Sequence, residues 1–335
     1  MLYSTAMAAK RVQLVSGLVN RRDADPGLLV ELAGLGRCYL FDCGNLERQS
    51  KRSLMRVSRL FVSHTHIDHF IGFDRLLRMS LGDVRELHVY GPEGMLANLR
   101  GKFSGYLWNL QEAGPDFVGH EISGARMLTQ RFPGERQFRP DEMGEEAVGP
   151  GGLISSEEGV TVRCAPLEHR ATSLGYCVRT EPFPAIREGA LESMGLKDGP
   201  WLAQLKRAAV EAPASDETLE AGGRNWPVRD LLERLIEMKP GQRIAYVTDT
   251  RYSERTEAAV AALADGADVL YCEANFRDED TERALETCHL TAGQAARFAR
   301  AAGVAKLVLF HISRKYSGDF KQSLEQARRV FERTE

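Results

Sequence analysis

The sequence predicts a layered α/β fold, an αββα sandwich in which two β-sheets lie face to face with helices outside them. Three features predict it. Short β-rich runs alternate with helical patterns, and such runs occur at both ends of the chain. The late runs RIAYVTD, ADVLYCEA and AKLVLFHIS are almost continuously apolar, as strands buried on both faces are. No G-x-G-x-x-G follows the first strand-like run, so nothing points to a dinucleotide-binding sheet.

The elements follow in order. RVQLVSGLV, GLLVELA and RCYLFDCG read as strands separated by turns. RSLMRVSRLFVSHTH reads as a short helix and then a strand over 59–63. FIGFDRLLRMSL has helical spacing, ELHVYGPEGM is a strand ending in a turn, and MLANLRGKFSGYLWNLQEAG is helical. Residues 121–160 read as loop-rich, with GPGG at 149–152. VTVRCAPLEH and SLGYCVRT are strands, and TAGQAARFARAAG is a helix closed by Gly303. Pro, Gly and charge break the alternation over 181–240. The expectation is one domain over 1–335 with an arm-like insertion at 181–240 that protrudes from it.

Bulk properties narrow the class. The chain has 335 residues, 43% of them apolar, enough for a substantial core. A net charge of −3 gives no general attraction for nucleic acid and leaves room for local basic patches. No run approaches the ~20 apolar residues of a membrane span, and MLYSTAMAAKRVQLV lacks the apolar core of a secretory signal. Six cysteines without C-x-x-C spacing suit reduced thiols in a cytoplasmic protein.

The chemistry concentrates in FVSHTHIDHFIGF. His64, His66 and His69, three of eight histidines, stand there with Asp68. His64 and His66 are two apart, so an extended backbone points both the same way, whereas a helix would separate them by about 200°. On a loop leaving a strand the H-x-H pair can hold one ion while Asp68 and His69 face another. Imidazole and carboxylate suit Zn²⁺, and also Mn²⁺ or Fe. His169, Asp249 and His311 each end an apolar run, so all can converge on one edge of a sandwich. Two cations ~3.5–4 Å apart lower the pKa of a shared water toward ~7. Asp42, after RCYLF, is a candidate to brace a ligating imidazole. Thr250 is a candidate to anchor the turn at Asp249. Arg314 and Tyr316 follow the last ligand, where a phosphate would arrive. His88 and His120 read as structural.

These residues resemble the ordered ligand set of the metallo-β-lactamase fold. YLFDCGNLERQ, PLEHRATSLGY, GQRIAYVTDT, CEANF, CHLTAGQAARFA and HISRKYS resemble, in order, segments of the tRNase Z family of tRNA 3′-processing endonucleases. The resemblance covers roughly residues 38–320. It implies two zinc ions per chain, one held by His64, His66 and His169, the other by Asp68, His69 and His311, with Asp249 shared between them. It implies a leaving ribose 3′-oxygen served by His289 and Glu273, with Asp68 also among the catalytic residues. It implies a tRNA precursor as substrate and a homodimer. It also matches the insertion to an RNA-binding arm whose Gly-Pro and basic stretch are filled by Gly199, Pro200, Lys206 and Arg207.

The chain departs from that family in three places. The early P-x-K-x-R-N stretch is absent, with Arg21 and Arg22 supplying charge instead. Thr248 stands where a Gly usually precedes the shared Asp, and Leu290 where a Ser usually follows the catalytic His. Two other readings share the ligand set: a hydrolase of small phosphodiesters, sulfate esters or acyl esters, and a non-catalytic RNA-binding protein.

Overall fold

The computed structural model describes residues 12–82, 85–108, 114–211 and 217–335. The start of the chain, part of the tract expected to be helical over 95–114, and the centre of the acidic stretch near 212–216 lie outside the described residues. Two compact units emerge, one from 13–179 with 243–335, the other built on 180–242.

In the larger unit an eight-stranded sheet runs in sequence order. Its strands are Gln13–Leu18, Leu28–Ala33, Arg37–Phe41, Val57–Phe61, Glu86–Pro92, Asp116–Ser123, Arg126–Phe132 and Gly144–Ala147. The middle four pair in parallel and the flanking strands antiparallel. The second sheet has six strands, in the order Leu307–Phe310, Val269–Glu273, Arg243–Val247, Ser173–Thr180, Val160–Leu167, Leu153–Glu157. Its first three are parallel. LVLF is buried at every position, which is why it carries no alternation.

Aromatic side chains fill the space between the sheets. Phe41 and Phe61 meet Tyr176 with ring centroids 5.9 and 5.5 Å apart. Burying the two tyrosines requires partners for their hydroxyls. Tyr176 donates to the Val62 carbonyl at 2.6 Å, and Tyr246 to Asp42 Oδ2 at 2.9 Å. Outside the first sheet, Leu76, Leu99 and Phe103 from two helices (Phe73–Ser80, Met95–Ser104) pack on Leu60, Val89 and Phe117. Outside the second, the helix Ala292–Ala301 turns Ala292, Ala295, Ala296 and Ala299 inward, and these small side chains let it approach the strands closely. Thr291 and Gln294 close a capping box at its start. Gly303, at φ +60°, ends it.

Two glycines bring distant loops together. A Cβ on Gly44 would lie 2.4 Å from the Asp68 carbonyl oxygen, and one on Gly72 would lie 2.1 Å from that of Gly44. Their bare backbones let FDCGN pack against HTHIDH, where Cys43 N–H donates to the His69 carbonyl and Gly72 N–H to the Cys43 carbonyl, both at 2.8 Å.

The smaller unit has its own core of Leu196, Leu205, Ala221, Val228, Leu231, Leu235 and Ile236. It contains the helices Trp201–Glu211 and Val228–Leu235, the hairpin Thr218–Ala221 with Arg224–Pro227, and the pair Phe183–Ile186 with Ile236–Lys239.

Three expectations are corrected. Residues 121–160 contain the strands Arg126–Phe132, Gly144–Ala147 and Leu153–Glu157: Met127, Phe132 and Ile154 are buried, while Gly144–Ala147 is exposed throughout and carries no apolar signature. The helix from Met95 ends at Ser104, where Gly105 caps it. The strand before the histidines is Val57–Phe61, two residues earlier than read, and Ile67–Phe70 forms one helical turn. All six cysteines are free. Among the described residues no helix is long and apolar enough to cross a membrane.

Candidate metal centre

Strand ends build the site. His64 and His66 leave Val57–Phe61 in extended backbone, and the turn Ile67–Phe70 swings Asp68 and His69 toward them. His169 lies two residues beyond Val160–Leu167, Asp249 two beyond Arg243–Val247, and His311 directly after Leu307–Phe310. Asp42, Asp249 and His311 take positive φ, at 53°, 33° and 52°. That sparsely populated conformation costs about 1–3 kcal/mol each and persists because packing imposes it.

The seven predicted ligands meet. His64, His66, His169 and Asp249 can offer atoms within 4.8 Å of one another, as can Asp68, His69 and His311. Asp249 faces both groups. Its Oδ2 is 3.6 Å from His64 Nε2 and 3.9 Å from His169 Nε2, and its Oδ1 is 3.3 Å from His69 Nε2 and 3.2 Å from His311 Nδ1. Asp68 Oδ2 closes the second group, 3.3 Å from His311 Nε2 and 3.7 Å from His69 Nε2.

The donor set fits divalent cations. Nε2 of His64, His69 and His169 are buried without a hydrogen-bond partner among the described residues, a costly state unless something else pairs them. Their opposite nitrogens are held: His64 Nδ1 lies 3.1 Å from Ser63 Oγ, His69 Nδ1 2.8 Å from Asp42 Oδ2, and His169 Nδ1 3.0 Å from the Cys288 carbonyl. Such outer bonds orient ligating imidazoles. Electrostatics agree. Burial pushes His64 down to about 2, with His69 adding to it. Burial would raise Asp68 and Asp249, yet the imidazoles of His311 and His69 hold both well below the usual carboxylate range. Burial would lower His69, yet Asp249 and Asp42 push it well up. Two buried carboxylates thus draw positive charge to this point.

The remaining predicted residues fall as follows. Asp42 is fully buried and accepts from Ser63 N–H at 2.6 Å, Ser63 Oγ at 2.8 Å and Tyr246 as well as facing His69. Glu273 Oε2 lies 3.0 Å from His289 Nδ1, and its Oε1 accepts from Thr250 N–H at 2.8 Å, so one carboxylate ties the Asp249 turn to His289. Burial would lower His289, but Glu273 and then Asp249 raise it to about 9. Thr248 Oγ1 donates to Asp249 Oδ1 at 2.8 Å, a bond a Gly could not make. Arg314 is exposed, 3.9 Å from Asp25. The expectation for Tyr316 is corrected: it is 6% exposed, and its hydroxyl is bonded to Asp280, so it holds its loop rather than facing a phosphate. In the smaller unit Gly199 and Pro200 precede the helix Trp201–Glu211, on which Lys206 and Arg207 are exposed.

Sequence reasoning missed three supports. Ser63 sits inside the motif and could have been found there. Asn275, which donates to the His311 carbonyl at 3.0 Å, and the Cys288 carbonyl act through tertiary proximity that no spacing announces.

Comparison with known proteins gives the family. Residues 192–312 match the family model of the beta-lactamase superfamily domain. Ribonuclease Z of Deinococcus radiodurans is 32% identical over 299 residues, covering 87% of each chain. Ribonuclease Z of Methanosarcina mazei is 32% identical over 326 residues, covering 94% of this chain and 91% of its own. Among solved structures, the metallo-β-lactamase fold protein YhfI of Bacillus subtilis matches with a TM-score of 0.55 at 15% identity, covering 97% of this chain and 92% of that one. Human tRNase Z, short form, matches with a TM-score of 0.50 at 18% identity, covering 92% and 94%. The chain has the metallo-β-lactamase fold and is a metal-binding hydrolase belonging to the ribonuclease Z family.

Proposed function

We propose that this protein is an endoribonuclease that removes 3′ trailers from tRNA precursors, working as a cytoplasmic homodimer with two zinc ions per chain. The observation that carries the reading is Asp249, one carboxylate turned toward two ligand groups, beside a His289–Glu273 pair on the same rim. His64, His66 and His169 would hold one cation and Asp68, His69 and His311 the other; Mn²⁺ or Fe would suit the same donors. Bound there, the cations supply Lewis acidity and lower the pKa of water from 15.7 toward about 7.

The chain's own residues do the rest. Asp42 and Ser63 fix the ring planes of His69 and His64. Glu273 holds a proton on His289 by bonding Nδ1, leaving Nε2 free to donate to the departing ribose 3′-oxygen, a poor leaving group without one. The 180–242 unit serves as the arm. Lys206 and Arg207, behind Gly199–Pro200, hold RNA phosphates, and Arg314 does so near the centre.

Metal-loaded protein incubated with a 3′-extended tRNA precursor releases the trailer. His66→Ala loses cleavage together with bound metal, read by elemental analysis. An intact precursor after incubation with the loaded wild type rejects the substrate. Deleting residues 185–235 weakens RNA binding and makes it less sensitive to salt, the slope of log affinity against log salt falling by about one for each phosphate no longer held. Hydrolysis of a small chromogenic phosphodiester survives the deletion. Unchanged RNA affinity would remove the arm's role.

A further inference from the structure

A cavity of about 450 Å³ opens beside His289, within the range of small-ligand sites. Asn275, Thr287 and Ser313 line it with hydrogen-bonding side chains, and Arg283 and Lys315 add two cations. Arg283 stands on the helix Thr281–Thr287 that leads into His289, and Lys315 on the turn that follows His311. The acid in the lining, Asp280, is already matched: Lys315 Nζ lies 2.8 and 2.9 Å from its two oxygens, and the Tyr316 hydroxyl is bonded to it as well. The nearest carboxylate to Arg283 is that of Glu286, 3.7 Å away, with both side chains two-thirds exposed. Such a pair is worth little in water, so the guanidinium keeps its capacity for a phosphate.

The bond that breaks decides which part of the RNA lies here. Water oxygen bonds to phosphorus, the P–O3′ bond breaks, His289 gives its proton to O3′, and the phosphate leaves with the trailer. The atom that meets His289 therefore belongs to the last nucleotide kept on the RNA. Its phosphorus side faces the ligand cluster, so its ribose, base and 5′ phosphate extend past His289. We infer that the cavity takes this last retained nucleotide and that Arg283 holds the phosphate on its 5′ side, with Lys315 kept beside it by Asp280. This rests on the proposed reaction and assigns one subsite within it.

The test uses the metal-loaded full chain and precursors carrying one uncharged methylphosphonate linkage, with 2′-O-methyl on the preceding ribose for stability and a matched 2′-O-methyl control. Placed on the 5′ side of the last retained nucleotide, the neutral linkage raises wild-type KM about tenfold and leaves kcat within twofold. Placed one nucleotide into the trailer, it leaves KM within twofold. Arg283→Gln, on an exposed helix surface, and Arg283→Gln/Lys315→Gln raise KM on the all-phosphate RNA and no longer respond to the 5′-side change. Thermal melts confirm that both variants fold. A wild type indifferent to the 5′-side linkage, or variants as sensitive to it as wild type, overturns the subsite while the reaction stands. Failure of wild type to cleave the all-phosphate RNA rejects the reaction, and the subsite with it.

Discussion

His289 belongs to neither three-histidine-or-aspartate ligand group of the proposed assignment, although it sits 3.9 Å from Asp249 Oδ2. Its firmest bond is to Glu273, a carboxylate with no exposed surface, and that pairing suits a proton donor better than a metal ligand. His289→Ala should lower kcat about 10²–10⁴-fold, the usual contribution of a positioned acid or base, with both metals retained. Glu273→Gln should give a smaller loss in kcat with KM unchanged. Steady-state kinetics and metal content together check both variants; loss of metal from His289→Ala would make it a ligand instead. His169, Asp249 and His311 were legible at this scale because each ends an apolar run, so a strand and its terminal residue could be read as one unit, whereas His289 follows a polar helix and was found only through the family resemblance. Arg283 and Lys315 were not, because one lies on an ordinary-looking helix and the other beside the more conspicuous Arg314. Only the folded loops place them round one cavity.

Elements position these residues through their ends. The helix Ala292–Ala301 begins three residues after His289, and its cap, Thr291, is almost fully buried. Thr291 Oγ1 accepts from Gln294 N–H at 3.3 Å while Gln294 Oε1 accepts from Thr291 N–H at 3.0 Å. Thr291→Ala should cost about 1 kcal/mol of stability, read as a shifted urea midpoint with unchanged slope. Loss of less than a few tenths would show that packing of the alanine face alone fixes the helix. The helix and its Gly303 end were read from TAGQAARFARAAG, while the Thr291–Gln294 capping box emerged only from the structure. The outer strands of 121–160 were invisible for the opposite reason. Their backbone ladder holds them: Gly144–Ala147 is exposed at every position, and Arg126–Phe132 buries only Met127, Gln130 and Phe132, so neither carries a clear apolar period.

Across the whole molecule, two histidines remain outside the reaction. His88 Nδ1 lies 2.9 Å from His120 Nε2, His120 Nδ1 lies 3.0 Å from Thr129 Oγ1, and His120 stacks on Tyr90 with centroids 4.2 Å apart. Burial, then His88 and Arg59, lowers His120 from 6.5 to about 3. His88 is lowered as well, by burial and Arg59, against Glu86. A buried neutral histidine takes up its proton only on unfolding. Its stabilising contribution is complete above about 6.5 and is lost as pH falls toward about 3, at up to about 1.4 kcal/mol per unit. With metal chelated, urea unfolding of the wild type should weaken more steeply between pH 6.5 and 5 than that of His120→Gln. Parallel slopes would assign the acid sensitivity elsewhere. The sandwich itself was readable from strands at both ends of the chain. The separate core of the 180–242 unit was not, because its apolar residues are spread among short elements interrupted by Pro, Gly and charge.

The shared carboxylate and the last histidine carry a consequence for biosynthesis. Asp249 and His311 follow strands made late in translation, and each lies beside His69 only when those strands have joined their sheet. Under the proposed ligand assignment, a polypeptide ending before Leu307 has HTHIDH in full yet lacks the final imidazole, so the second ligand group closes only after the last strand of this sheet has been made.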